Sequence, residues 1–152
     1  MDTVTYPDNV VAGLLAERFA VLKLNLLERH PDFKDASGGH KVLWAPALIF
    51  SDARGRELRR FTGWLPPGEF LSELRLVLAL HDLNHSRFDE ARAGLEGIID
   101  AGDEIAAEAL YWHGIAGFLG GQRDMDALTS SWKQIIEEHP GSRFATHASV
   151  IE

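Results

Sequence analysis

The stretch APALIFSDARGRELRRFTGWLPP, residues 45–67, constrains the fold more than any other part of the sequence. The apolar residues 48–50 predict a buried strand. Residues 52–55 predict a turn, with a glycine where a positive φ is favoured. Residues 56–63 return as a second strand. The prolines at 66–67 predict a helix start, because a proline in the first helical turn removes no hydrogen bond. This stretch therefore predicts a β-hairpin followed directly by a helix.

The residues before the hairpin predict one helix and one strand. Asp8 precedes apolar residues spaced three and four apart between Val10 and Leu15, which is the pattern of a one-sided helix. Residues 19–25 alternate between two faces and predict a strand that is mostly buried. Residues 27–41 are polar and glycine-containing, and we expect a short helix and a loop there. Together with the hairpin, these elements predict an α/β domain over residues 1–84.

Everything after residue 67 has a helical pattern. The first helix has an inner stripe formed by Leu71, Leu74, Leu78 and Val77. Four more helices are predicted at 87–100, 104–119, 125–138 and 142–151, with Ser86, Asp103 and Asp124 as the N-caps of the first three. The patterns that begin at residues 88 and 125 are alike, and paired helices with a period of about 34 residues are typical of tetratricopeptide-like hairpins. We therefore predict a second, helical domain at residues 85–152.

Composition excludes several kinds of chemistry. The chain has no cysteine, which removes disulfides, thiolate nucleophiles, iron–sulfur clusters and cysteine-bound zinc. The formal net charge is +1 over residues 1–66 and −9 over residues 67–152, and an acidic rear half argues against nucleic acid as a partner. We interpret the basic group in the hairpin as a solvated face; it consists of Arg54, Arg56, Arg59 and Arg60.

No apolar run approaches the roughly 20 residues of a membrane span, and no secretory signal is visible. We therefore predict a cytoplasmic protein that does not bind membranes.

Three stretches together resemble a thioredoxin-like family in which a thioredoxin domain is followed by tetratricopeptide-like helices. They are TYPDNVVAGLLAERFAVLKLN, APALIFSDARGRELRRFTGWLPPGEFLSEL and ALYWHGIAGFLGGQRDMDALTSSWKQIIEEHPGSRFATHAS. The resemblance implies an α/β fold: a truncated thioredoxin-like sheet with flanking helices, followed by tetratricopeptide-like α-hairpins. In that family a strand and a CxxC dithiol come before a methionine that matches Met1, so it also implies that this chain lacks both.

The resemblance has two structural implications for the sheet. Pro46 matches the cis-proline of the family, which lies beside the dithiol and helps to present backbone to an extended peptide. The missing strand would lie between the strands at 19–25 and 47–52, and unpaired buried backbone groups cost about 1–3 kcal/mol each. We expect either that these two strands pair directly or that a second copy of the chain fills the gap, which gives a homodimer.

The function that this reading favours is a non-catalytic binding or scaffold module. The predicted partner is a protein or an extended peptide, held by Trp44, Ala45, Pro46 and Trp64. No catalytic residue and no cofactor are predicted. Whether the native gene product is an enzyme stays open, because this chain is alternatively an N-terminally truncated form of a thiol–disulfide oxidoreductase whose CxxC lies upstream of Met1.

His81 and His85 are the two candidates for a metal site. Their spacing of four residues on a helix resembles HExxH, with aspartate at residue 82 in place of the glutamate. The sequence offers no obvious third ligand, and the motif lies at a predicted helix end. We therefore interpret the pair as a solvated helix C-terminus, where histidine complements the helix dipole.

Overall fold

A computed structural model describes residues 1–25, 31, 42–102 and 104–151 of the chain. In these residues the protein has a mixed α/β layout: six α-helices, one two-stranded antiparallel sheet and a short 3₁₀ helix. The helix and loop expected at 27–41, apart from Pro31, and the cap expected at Asp103 lie outside the described residues. The elements are α1 Asn9–Arg18, β1 Ala47–Ser51, β2 Glu57–Thr62, α2 Pro67–Asn84, α3 Phe88–Ala101, α4 Ala106–Gly120, α5 Met125–Glu138, α6 Arg143–Ala148 and the 3₁₀ helix Ser149–Ile151.

The chain divides into two compact units. We call Met1–Leu71 the front unit and Ser72–Glu152 the helical unit. The division falls within helix α2, which runs without interruption from Pro67 to Asn84. The domain division predicted after residue 84 stays a prediction.

Helix α1 begins where the sequence predicts it. The Asp8 carboxylate accepts hydrogen bonds from the backbone N–H groups of Val10 and Val11, at 3.0 and 3.1 Å. These bonds satisfy two of the amide groups that the start of any helix leaves without an internal partner. Just before α1, the buried Thr5 hydroxyl donates to the Leu65 carbonyl at 2.6 Å. This bond joins the N-terminal segment to the chain that leads into α2.

Aromatic rings form a continuous row through the front unit. The contacts run from Phe19 to Phe50, to Phe61, to Phe70 and finally to Tyr6, with ring centroids 5.8–6.2 Å apart. Three of the four pairs are edge-to-face, the geometry that the ring quadrupole favours. Each such pair contributes roughly 0.5–1.5 kcal/mol beyond the area that it buries. The row connects the chain on both sides of the hairpin to the hairpin itself.

The predicted strand at residues 19–25 is wrong. These residues form no ladder, and β1 pairs only with β2 within the described part of the chain. Val21 and Leu22 point to opposite faces in the predicted alternation, yet both are exposed, at 67% and 66%. Extended chain becomes a strand only when a neighbouring backbone accepts its hydrogen bonds. Direct closure of the sheet is therefore not observed here, and pairing with a second copy stays a prediction.

The helical unit is built around two apolar clusters. The first joins α2, α3 and α4 and consists of Leu76, Ala79, Leu80, Leu95, Ile98 and Ala109. The second joins α4, α5 and α6 and consists of Ala107, Leu110, Trp132, Ile135, Ala145 and Ala148. Helix α4 contributes to both clusters, and it can do so because small residues cover much of its surface. Of the predicted stripe on α2, Leu74 and Val77 are buried, and Leu71 and Leu78 are half-buried.

The repeat seen in the sequence is preserved by the helices. Both α3 and α5 have 14 residues, and they begin at Phe88 and Met125, an offset of 37 residues at each end. Corresponding positions are buried alike: Leu95 corresponds to Trp132, and Ile98 to Ile135. The four predicted helices after residue 86 agree with the observed bounds to within two residues, except that the last ends as the 3₁₀ helix.

Of two predicted helix N-caps, one is correct and the other is wrong. Asp124 caps α5 as predicted, because its carboxylate accepts from the backbone N–H groups of Asp126 and Ala127. The predicted cap Ser86 is wrong: the N-cap of α3 is Arg87, and no side chain bonds the first turn. Ser86 has a φ of +59°, and the Arg87 N–H donates back to the Asp82 carbonyl at 2.9 Å. The chain therefore turns through a backbone hydrogen bond at the C-terminal end of α2, and no side chain caps the N-terminal end of α3.

Helix α2 is the longest helix of the described chain, with 18 residues. It contains charged residues along its length, among them Glu69, Glu73, Arg75 and Asp82. None of the helices in the described ranges combines the length and the apolar character needed to cross a bilayer.

Candidate functional site: the open end of the β-hairpin

The hairpin places the four predicted binding residues at one end. β1 and β2 are in register with Ala47 opposite Thr62 and Leu48 opposite Phe61. The Gly63 N–H donates to the Pro46 carbonyl at 2.8 Å, which extends the pairing by one step beyond β1. The residues on either side of this bond form the open end of the hairpin, away from its turn.

The turn at the other end is held by Asp52. Its carboxylate accepts from the backbone N–H groups of Arg54 and Arg56, each at 2.9 Å, and from Arg56 Nε at 2.7 Å. These bonds, with the backbone N–H of Arg56 as the largest cause, lower the pKa of Asp52 to about 2. Gly55 has a φ of +77°, which a side chain would strain. These contacts therefore hold the turn that joins the two strands.

The Ala45–Pro46 peptide bond is cis, which confirms what the resemblance implies for this proline. Trp44, Ala45 and Pro46 are all exposed. Trp44 has 71% of its surface exposed and Trp64, which follows Gly63, has 54%. Gly63 has a φ of +114°, so the chain leaves β2 in a conformation that only glycine adopts easily. We call Trp44, Ala45, Pro46 and Trp64 the proline ledge.

The proline ledge brings two separate parts of the sequence together. Trp44 is two residues before Pro46, and Trp64 is one residue after Gly63, so the hydrogen bond from Gly63 to Pro46 links the segments that carry both indoles. From standard backbone spacings, the Cα atoms of the two tryptophans lie at most about 17 Å apart. A peptide of five or six extended residues covers that distance. In water, two exposed indoles are an apolar surface with a hydrogen-bond donor on each ring.

The histidine pair lies at the C-terminal end of α2, as predicted. The rings of His81 and His85 are 4.2 Å apart, and His85 Nδ1 lies 2.8 Å from the His81 carbonyl oxygen. His81 Nδ1 lies 2.9 Å from Arg87 Nη2, and the same guanidinium donates to Asp82 Oδ1 at 2.6 and 3.0 Å. Over residues 1–25, 31, 42–102 and 104–151, no three metal-ligating side chains come together. The pair is part of a hydrogen-bonded helix end, and the metal hypothesis stays untested.

The structure also contains a polar cluster that the sequence interpretation missed. His113 of α4 lies between Ser131 of α5 and Arg92 and Glu96 of α3. Serine, histidine and a carboxylate together are typical of hydrolases, but Ser131 is buried and lies against Gly114, where it cannot attack a substrate. No spacing in the sequence could reveal this cluster, because its members come from three different helices.

Comparison of the chain with protein-family models, with curated proteins and with solved structures found no match.

Proposed function

We propose that this protein is a non-catalytic binding module that holds an extended peptide, or an extended segment of a protein, at the proline ledge. The observation that carries the proposal is the pair of indoles on either side of the Pro46–Gly63 hydrogen bond, each more than half exposed. Large aromatic side chains are costly to expose to water, and tryptophan is enriched among the residues that dominate binding energies.

The backbone at the proline ledge supports an extended ligand in particular. Within the described residues, β1 has a ladder partner on one side only, which is β2. In an antiparallel pair the residues that do not exchange hydrogen bonds direct their N–H and C=O groups away from the partner strand. Because Gly63 bonds to Pro46, this alternation directs the backbone N–H and C=O groups of Ala47 and Ile49 away from β2. An extended ligand beside Trp44 would find backbone groups of the kind that it needs to pair.

The fold assignment that accompanies this proposal is a thioredoxin-like front unit followed along the chain by tetratricopeptide-like helices. It is supported by the position of Pro46 directly before strand β1, by the helix that follows the hairpin, and by the 37-residue offset between α3 and α5. On this assignment the fold of a redox protein is retained without its thiols, since the chain has no cysteine. Binding is then the part of the family's activity that its residues can still support.

The proposal is tested with a library of random twelve-residue peptides displayed on phage and panned against the immobilised chain. We expect the wild type to enrich peptides with a shared apolar pattern. Synthetic copies of those peptides should bind the Trp44→Ala and Trp64→Ala variants at least about 30-fold more weakly, since a tryptophan at the centre of an interface contributes about 2 kcal/mol or more. Leu119→Ala is the matched control, because Leu119 is also an exposed apolar residue but lies in α4.

Both tryptophans are exposed, so their replacement should leave the fold unchanged, and far-UV circular dichroism checks this. The proposal is wrong if the wild type enriches no consensus, or if the selected peptides bind the two tryptophan variants as tightly as they bind the wild type.

A further inference from the structure

His113 links three helices of the helical unit through hydrogen bonds. It belongs to α4, its Nδ1 lies 3.0 Å from the Ser131 hydroxyl of α5, and Arg92 Nε of α3 donates to its Nε2 at 3.4 Å. The imidazole is largely buried, with 17% of its side chain exposed. A buried polar group that joins several helices holds them in place only while every bond is satisfied.

The bond from Arg92 requires a neutral imidazole in one tautomer. Arg92 can only donate, so Nε2 must be the acceptor and carry no proton. Nδ1 then carries the single proton and donates it to the Ser131 oxygen. Addition of a proton at Nε2 converts the acceptor into a donor. The bond from Arg92 is then lost, and two positive charges face each other across about the same short distance.

The charged groups that face His113 in the described structure both come from α3. Arg92 opposes a charged imidazole, and Glu96, whose Oε1 lies 3.6 Å from Nε2, favours one. The side chain of Glu96 is 60% exposed, so solvent weakens its attraction, whereas only 17% of the His113 side chain is exposed. Helix α5 faces the ring with the uncharged Ser131. The balance therefore favours the neutral ring.

We propose that His113 is an acid-sensitive latch, which holds α3 to α4 while its imidazole is neutral and releases α3 when Nε2 takes up a proton. The bond from Nδ1 to Ser131 of α5 is present in both forms. This inference does not depend on the binding function of the proline ledge, since it concerns the helical unit alone. Its consequence is that acid loosens the packing of α3 on α4.

The direction of the effect follows from the sign of the pKa shift. Burial is the larger cause and the Arg92 charge the second, and together they hold the pKa of His113 below its usual 6.5, against the pull of Glu96. Between the lowered pKa and 6.5 the unfolded chain binds more protons than the folded chain, so stability rises with pH. The stabilisation is complete above 6.5 and is lost as the pH falls through the lowered value.

The first test is a titration of His113 by NMR in the wild-type chain, with the ring signals assigned through a His113→Gln variant. We expect a midpoint below 6.5. Two substitutions on one face of α3 should move it in opposite directions: Arg92→Gln should raise the midpoint, and Glu96→Gln should lower it. A wild-type midpoint at or above 6.5, or a lower midpoint in Arg92→Gln, would overturn the proposal.

The second test is hydrogen exchange of the amides of α3 and α4, corrected for the intrinsic rates, at pH 7.5 and pH 5. Glutamine can donate to Ser131 and accept from Arg92 but does not titrate, so His113→Gln should remove most of the acid sensitivity. We expect the wild-type opening constant to rise by about tenfold for each unit by which the pKa of His113 is lowered. His147→Gln is the control, because His147 is exposed in the same unit and its replacement should leave the acid response unchanged. Equal acid responses in His113→Gln and the wild type would overturn the latch.

Discussion

Replacing Gly114 by alanine should destabilise the helical unit by up to about 2 kcal/mol, although alanine is the better helix former. A Cβ atom at this position would lie 3.0 Å from Trp132 Cδ1, 3.1 Å from Trp132 Nε1 and 3.1 Å from Ser131 Cβ. Carbon atoms prefer separations of about 3.5–4.0 Å, so α4 and α5 would have to move apart. Extra methyl groups in packed cores cost roughly 1–3 kcal/mol, and the helix preference for alanine returns about 1 kcal/mol of this.

Trp132 cannot move away at low cost. Its ring stacks on Tyr111 with centroids 4.9 Å apart and planes 7° from parallel, and its Nε1 donates to the Tyr111 carbonyl at 3.2 Å. Gly94→Ala is the matched control, because Gly94 is also within a helix that packs on a neighbour, but its Cβ would meet Ala79 Cβ at 3.7 Å. That is ordinary contact, so this variant should gain about 0.5–1 kcal/mol.

The two variants are compared with the wild type by thermal unfolding followed by far-UV circular dichroism, which is dominated by the helices. For a chain of this length about 1 kcal/mol corresponds to roughly 2–4 °C in Tm, so Gly114→Ala should melt below the wild type by up to about 8 °C and Gly94→Ala slightly above it. The reasoning about close helix packing is refuted if Gly114→Ala melts at or above the temperature of the wild type.

Two further predictions concern the front unit and redox chemistry. Asp52→Asn should lower the Tm of the chain at pH 7, measured by circular dichroism, because the carboxylate whose pKa is lowered to about 2 stabilises the folded state above its unfolded pKa near 4. The difference should shrink as the pH falls toward 2 and disappear below it, and a difference that does not depend on pH would contradict the role of the charge. In an insulin-reduction assay with dithiothreitol the chain should give no rate above background, since thiol exchange requires a thiolate and the chain has no cysteine; a rate above background would show that this reasoning is wrong.

Local patterns in the sequence were enough to locate most elements. The hairpin, α1 and the helices after residue 67 follow from turn residues, prolines and apolar spacing, each of which acts within a few residues. The cap at Asp124 is correct for the same reason, since an aspartate and the two amides that it binds are neighbours in sequence. The prediction at Ser86 failed where two local motifs competed, because the turn was taken up by the end of α2.

The strand expected at 19–25 and the cluster around His113 depend on partners that are distant in the chain. The alternation of side chains at 19–25 predicts which of them would share a face. A strand also needs a neighbouring backbone to accept its hydrogen bonds, and no other segment of the described residues pairs with this one. The meeting of His113 with Arg92 and Ser131 depends on how three helices pack, and helix packing leaves no periodic signal in any one of them. For the proline ledge, the sequence supplied the proline and the two tryptophans. Only the hairpin register, through the bond from Gly63 to Pro46, placed Trp44 and Trp64 at the same end of the sheet.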